Sequence, residues 1–506
     1  MLLRLPMRPK KVPARMVWRL ALAGAWLAPA FVAAAPAAQQ IVIPDQVTAL
    51  LQAAYDGDAA RVRSLLESGA DPRAANAFGA SPMGEAARRG DTEVLRLLLK
   101  AGADPESPNA EGQTALMAVA RTGNVEAARL LLAHGARLEA RESWGGQTAL
   151  IWAAAQGQAE MLRFLLSRGA DPDARGTVRE WSRRITAEGR PKDMNRGGLT
   201  ALLYAAREGH ADCIRVLAAG KADLDLADPD GTTPLVMALM NGHWDTAVAL
   251  VEAGADVNLW DLYGQSPLYM AVDIKTIESG GRVELPTDDR HTAEDVMRRL
   301  LARGANPNLQ LKLRPPFRNV PQDRLSDPML TTGATPLLRA AKAADAASVK
   351  LLLEHGARVD LPNVMGHTPL MAAAGAGRGN NPTRGRTRSE PQVLETLELL
   401  LAAGADVNAR SVDGDSAVHG AALRGWHEVI RLLAARGANL DFADKDGMTP
   451  VDYALARHPL TYLESKPVAR EATAGLLREL GARRETPDPP KWAPVGVPQS
   501  TAQVPR

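Results

Sequence analysis

Hydrophobic and polar positions along the chain recur as one unit: a polar turn, an apolar helical stretch, a short break, a second apolar stretch, and a stop at Gly-Ala or a near relative. Runs such as Leu97-Leu98-Leu99 and Leu351-Leu352-Leu353 mark the second stretch. A Thr or Ser phases each unit, at Thr48, Ser81, Thr114, Thr148, Thr200, Thr233, Ser266, Thr335, Thr368, Ser416 and Thr449. Successive anchors lie 33, 33, 34, 52, 33, 33, 69, 33, 48 and 33 residues apart, so six of the ten intervals are 33. A fixed period of this length predicts a solenoid, because one unit cannot bury its apolar face alone and must stack on its neighbours.

The chemistry of the unit is legible in Asp230-Gly231-Thr232-Thr233-Pro234-Leu235, then Gly242-His243, then Gly254-Ala255-Asp256-Val257-Asn258. A Gly stands two residues before ten of the eleven anchors, where a tight turn needs positive φ. The anchor hydroxyl is expected to accept from an N–H of the first helical turn, and Pro directly after it, as at Pro82, Pro234 and Pro369, suits the first helical position. Gly102 and Gly356 stand where a left-handed residue ends the second helix.

These motifs closely resemble the ankyrin repeat over roughly residues 46 to 485. The resemblance implies an all-α solenoid of about eleven stacked helix-turn-helix units, with short β-hairpin finger loops and several insertions. The family's usual His three residues after the anchor occurs here at His419 alone; apolar residues such as Leu203, Val236 and Leu338 mostly replace it, so stacking leans on apolar packing. In the fifth unit Lys221 replaces the terminating Gly, and a left-handed non-Gly residue costs up to about 1 kcal/mol. A distorted helix end is expected there.

The first residues differ in kind. Arg4, Arg8, Lys10, Lys11, Arg15 and Arg19 precede an apolar stretch from Leu20 to Ala35, and Ala35-Pro36-Ala37 offers the small residues a signal peptidase reads. Residues 1–37 are therefore read as a secretory signal, cleaved after Ala37 or Ala38, with Met16 as an alternative start. The run is short for a membrane span and contains Pro29, so no stable membrane insertion is expected after cleavage. Without this segment 54 basic side chains face 58 acidic ones, a formal charge of −4. A mildly acidic body argues against nucleic acid as a partner, since phosphate neutralisation needs a basic face. Cys213 is the sole cysteine and sits among apolar helical positions, which reads as an inert packed thiol. An Ala- and Arg-rich signal on a disulfide-free chain points to the periplasm or secretion from a bacterium.

Departures from the period place insertions near residues 177–196, 276–292, 311–331, 378–392 and 459–468, with a Pro-rich tail over 486–506 read as disordered. Residues 38–485 otherwise form one continuous repeat domain. Two insertions are locally basic, the first through Arg175, Arg179, Arg183, Arg184, Arg190, Lys192 and Arg196, the other through Arg378, Arg384, Arg386 and Arg388. Such loops suit an anionic partner or serve solubility.

Catalytic signatures are missing: no Gly-rich phosphate loop, His-Glu-x-x-His or Gly-x-Ser-x-Gly occurs, and neither cofactor nor metal is expected. The densest polar cluster, Asp288-Asp289-Arg290-His291 with Glu294 and Asp295, reads as the acidic start of a second helix rather than as ligands or acid and base. His210 and His243 fall between helices and read as structural. In ankyrin proteins partners meet the finger tips and the inner face of the first helices. The matching fingers carry Phe78, Trp144, Trp260, Leu262, Tyr263 and Met365, and the late first-helix positions carry Arg88, Arg89, Arg121, Arg207 and Lys342. The pattern implies a non-catalytic monomeric scaffold for another protein, one with an acidic or mixed surface. The other readings are an immunity or maturation factor for one enzyme, and a hydrolase or lyase built in the insertions.

Overall fold

The computed structural model describes residues 45–180, 184–185, 192–193, 196–276, 288–313, 315, 329–376, 388–457 and 469–484. Residues 1–37, the tail over 486–506, and much of the five insertions lie outside the described residues. Each anchor marks one pair of helices. The pairs are α1 (Asp45–Asp56) with α2 (Ala59–Glu67), α3 (Pro82–Arg89) with α4 (Thr92–Lys100), α5 (Ala115–Thr122) with α6 (Val125–Ala133), and α7 (Ala149–Ala155) with α8 (Ala159–Ser167). They continue with α9 (Ala201–Glu208) and α10 (Ala211–Ala219), α11 (Pro234–Met240) and α12 (Trp244–Ala253), α13 (Pro267–Thr276) and α14 (Ala293–Ala302), and α15 (Pro336–Lys342) and α16 (Ala346–Glu354). The last are α17 (Pro369–Ala373) with α18 (Glu390–Ala402), α19 (Ala417–Arg424) with α20 (His427–Ala435), and α21 (Pro450–Ala454) with α22 (Glu471–Glu479).

The core follows from this stacking. A first helix is covered by both neighbouring units and by its own partner, so every residue from Ala115 to Ala120 is buried. A second helix is covered along one stripe, as with Val94, Leu95, Leu98 and Leu99 of α4. Small Ala and mid-sized Leu, Val and Met suit layers this thin.

Nine anchors cap as expected; the Ser81 hydroxyl accepts from Gly84 N–H at 3.0 Å and that of Thr335 from Leu338 N–H at 3.1 Å. Two depart. Thr48 lies inside α1, which starts at Asp45; its unit lacks the preceding Gly turn that would stop the helix there. Ser416 meets its own unit's histidine instead: its Oγ lies 2.9 Å from His419 Nδ1, while Nε2 lies 3.2 Å from Met448 O. All ten turn glycines have positive φ. Gly333 shows why Gly is needed, since a Cβ there would stand 2.9 Å from Asn363 Cα of the next finger.

The distortion expected at Lys221 is not found. Lys221 takes the left-handed conformation itself, with φ 66, and Ala222 N–H still reaches Leu217 O at 3.0 Å, as Ala103 N–H reaches Leu98 O. The closure of the helix end outweighs a residue-level strain of about 1 kcal/mol.

The second-helix ends are joined by a polar ladder. Asn258 Oδ1 accepts from Asn306 N–H of the next unit at 2.8 Å, and its Nδ2 donates to that unit's terminal Gly304 O at 3.1 Å. Asn308 repeats both bonds to Arg358 and Gly356, and Asn408 to Asn439 and Gly437. The first insertion extends a finger into a hairpin, with β1 (Arg184–Ile185) antiparallel to β2 (Lys192–Asp193). In the ninth unit α18 already begins at Glu390, so the insertion ends earlier than its expected limit at 392 and lengthens the helix.

Candidate binding surface

The fingers are built on one recurring device. The residue five positions before the anchor accepts two backbone N–H groups of its own turn: Asn76 from Phe78 and Ala80, Asp261 from Tyr263 and Gln265, Asn363 from Met365 and His367, all at 2.9 to 3.0 Å. Asx turns of this kind fix the tip without a sheet. Adjacent fingers are then tied by backbone bonds, Leu262 N–H to Asp230 O at 3.1 Å, Val364 N–H to Thr332 O at 2.8 Å, and Val412 N–H to Met365 O at 2.9 Å. The side chains at these tips thus project from an ordered backbone.

Phe78 is 82% exposed, Trp144 72%, Trp260 47%, and Leu262 and Met365 are exposed too. Tyr263 departs from expectation: it is half buried, and its carbonyl accepts Lys312 N–H at 2.8 Å and Leu313 N–H at 3.2 Å where the chain enters the insertion after the seventh unit. Insertions also reach both tryptophans. Arg179 lies 5.0 Å over the Trp144 ring and donates to its carbonyl at 3.0 Å, and Lys312 Nζ lies 5.7 Å from the Trp260 centroid. Each tryptophan is thereby paired with a cation. Val364 and Val412 are further exposed members, Val412 at 72%. Sequence reading passed over them, although they stand four residues before their anchors, as do Trp144 and Leu262. Phe78 borders a cleft of about 270 Å³ shared with Arg88, Ser107 and Asn109.

The basic inner face is less uniform than its sequence suggests. Arg88 pairs with Glu85 at 3.2 Å, and Arg89 lies against Gly57 in the turn between α1 and α2. Arg121 is exposed. Arg207 pairs with Glu208 at 2.7 Å and lies 4.6 Å over Tyr204, so its charge is largely spent inside its own helix. Lys342 corrects the expectation outright, being buried instead of lining an open groove. Burial, with Arg388 and Arg424 nearby, holds its ammonium well below the usual lysine range. Of the first basic insertion, Arg175 donates to Gly198 O and Ala227 O as a strut, and Arg196 meets Glu180. The side chains of Arg183 and Arg184 lie outside the described residues.

The polar cluster at 288–295 joins two helix starts. Asp289 accepts from Trp244 and Asp245 N–H, both at 3.2 Å, while Asp245 accepts from Arg290 and His291 N–H, both at 3.0 Å, and lies 2.6 Å from His291 Nδ1. Burial opposes ionisation of Asp245, yet the hydrogen bonds from His291 and Arg290 outweigh it and bring its pKa to about 2. Thr292 and Asp295 form the capping box of α14. His243 Nε2 lies 3.0 Å from Arg207 O, tying two units together. Burial pushes the Cys213 thiol up to about 12, as an inert packed group requires. Among the described residues no group of three His, Cys, Asp or Glu could hold a metal, and no helix is long and apolar enough to cross a membrane.

The repeat unit agrees with comparison to known families. The family model for ankyrin repeats in three copies matches residues 84–176, 183–261, 202–277, 290–381 and 389–464. The chain belongs to the ankyrin-repeat family. A second ankyrin model matches residues 50–99 and a single-repeat model residues 365–412. Among ankyrin-repeat relatives, the chain is similar to ankyrin repeat domain-containing protein 63 of Homo sapiens, 32% identical over 34% of this chain and 44% of that protein. It is also similar to the B-cell lymphoma 3 protein homolog of Mus musculus, 33% identical over 25% of each, and to ankyrin repeat domain-containing protein 37 of Bos taurus, 34% identical over 21% of this chain and 59% of that protein. In each case less than two thirds of the relative is covered. Ankyrin repeats generally bind other proteins, which makes an interaction scaffold the function class of this chain.

Proposed function

We propose that this ankyrin-repeat chain is a non-catalytic, exported scaffold that binds one other protein across its finger tips. The observation that carries the reading is the row of exposed apolar residues, Phe78, Trp144, Trp260, Leu262, Met365 and Val412, held on fingers that are tied by backbone hydrogen bonds. Large side chains on an ordered backbone lose little freedom on binding, which favours hot spots. Cations stacked on Trp144 and Trp260 bias the partner toward an acidic or mixed surface. The basic start, short apolar run and Ala35-Pro36-Ala37 support export to the periplasm. Intact-mass measurement of the protein recovered from periplasm tests this half: a mature N-terminus at Ala38 or Gln39 is expected, and a full-length cytosolic chain would contradict it. For the binding half, wild type and Trp260→Ala/Leu262→Ala are used as bait in periplasmic extract. One protein lost from the double variant, with helicity intact, is the expected result; its equal recovery would remove the fingers as the site.

A further inference from the structure

The second unit lacks a side chain that the units after it bury. In those units the residue three positions after the anchor is packed away, as Met117, Ile151, Leu203, Val236 and Leu338 show at 1% exposure or less. The second unit has Gly84 there, in the first turn of α3. A Cβ on Gly84 would meet Ser81 Oγ at 3.3 Å and, beyond its chain neighbours and own helix backbone, nothing else within 4 Å. This space opens into the cleft of about 270 Å³ that Gly84 lines together with Phe78, Glu85, Arg88, Ser107 and Glu111. Ser107, held at φ 22, donates to Ser81 Oγ at 2.7 Å and so ties the third unit to the anchor of the second. A volume below the ~300–1,000 Å³ of pockets for drug-sized ligands suits a single side chain.

The lining holds two carboxylates against one guanidinium. Glu85 is buried, and its ion-pair partner among the described residues is Arg88 at 3.2 Å, whose side chain is 58% exposed. Water and salt screen so exposed a partner, which leaves the buried carboxylate open to a better one. Glu111 is exposed and has no ion pair among the described residues, while its carbonyl accepts Ser143 N–H of the next finger at 2.8 Å. Phe78 is 82% exposed, and no cation of the described residues lies over its ring, whereas Arg179 and Lys312 already cover Trp144 and Trp260. An open aromatic face beside an acidic recess suits a planar cation, which stacks on the ring while its N–H groups pair with carboxylate oxygens. We propose that the cleft receives an arginine side chain of the protein partner, stacked on Phe78 and bonded to Glu85, with Glu111 adding attraction from the rim. This rests on the finger tips being the binding site and gives the partner a direction. Its arginine meets the second and third units, and its acidic groups meet the cations on Trp144 and Trp260.

The test uses the full chain labelled with fluorophenylalanine at its five phenylalanines, with the Phe78 fluorine resonance assigned through Phe78→Leu. The probes are the blocked tripeptides Ala-Arg-Ala, Ala-citrulline-Ala and Ala-Glu-Ala, titrated at fixed ionic strength. A saturable shift of the Phe78 resonance is expected with the arginine peptide, and binding at least tenfold weaker with citrulline, which keeps the shape and drops the charge. Glu85→Gln should weaken the arginine peptide at least tenfold. Gly84→Met, which puts the third unit's side chain into the vacancy, should melt no lower than wild type and lose the shift. No saturable shift with the arginine peptide, or an equal response to the citrulline or glutamate peptide, would overturn the proposal. So would undiminished binding in Glu85→Gln or in a folded Gly84→Met. Trp260→Ala/Leu262→Ala should leave the peptide response unchanged, so the two readings fail separately. A peptide response with undiminished partner capture by that double variant sinks the finger row alone, and lost capture without a peptide response sinks the cleft alone.

Discussion

Asn363→Ala isolates the device that orders the fingers. The Asn363 side chain accepts from Met365 N–H at 2.9 Å and His367 N–H at 3.0 Å and donates to Met329 O at 2.9 Å, and the residue is buried. Removing it deletes three hydrogen bonds and leaves partners with little access to water. At about 1 kcal/mol each, more where a buried group stays unsatisfied, the local loss is about 2–4 kcal/mol. Each ~1.4 kcal/mol is a factor of ten in an opening equilibrium, so amide exchange at Met365 and His367 should speed up roughly thirtyfold or more if the finger opens locally. Hydrogen exchange read by mass spectrometry over residues 360–370 is the assay, with Val364→Ala, next door but exposed, as the control. Unchanged exchange in Asn363→Ala, or an equal change in Val364→Ala, would refute the account of how the tips are held.

Leu98→Ala, in the buried stripe of α4, should cost about 2–5 kcal/mol in denaturant unfolding, whereas Val412→Ala on an exposed finger should stay within about 0.5 kcal/mol. Asp245, with its pKa brought down to about 2, contributes stability that is present above its unfolded pKa of about 4 and is lost as pH falls toward 2. Asp245→Asn should therefore flatten the loss of melting temperature between about pH 4 and pH 2; the same acid sensitivity in the variant would count against the Asp245–His291 link.

What was legible in the sequence is what the chain settles locally. Thr233 caps, Pro234 opens a helix and Gly231 turns, because each acts within a few residues of itself. Thr48 misled because the turn that normally precedes an anchor is absent, and a capping residue without its turn simply continues the helix. Lys221 misled in the opposite direction: its neighbours impose the left-handed bend, so the expected distortion gave way to a strained but regular end. The inner face was the least legible. Lys342 has the register of a groove residue, yet it is buried, and the partners that define its surroundings come from other units. Arg339 meets Asp273 across 66 residues and Asp245 meets His291 across 46, separations that no local pattern encodes. Tyr263 shared the finger register of Phe78, but its carbonyl anchors the incoming insertion and its ring is half covered.

The central claim, that an ordered row of apolar finger tips binds a protein partner, is met most directly by measuring affinity for the captured partner before and after the row is trimmed. Phe78→Ala, Trp260→Ala and Leu262→Ala act on exposed side chains whose backbone bonds remain, so helicity and melting temperature should be preserved. Hot-spot truncations cost about 2 kcal/mol or more each, so the triple variant should bind at least a hundredfold more weakly by calorimetry even where one of the three lies outside the footprint. A folded triple variant that binds within threefold of wild type would contradict the account.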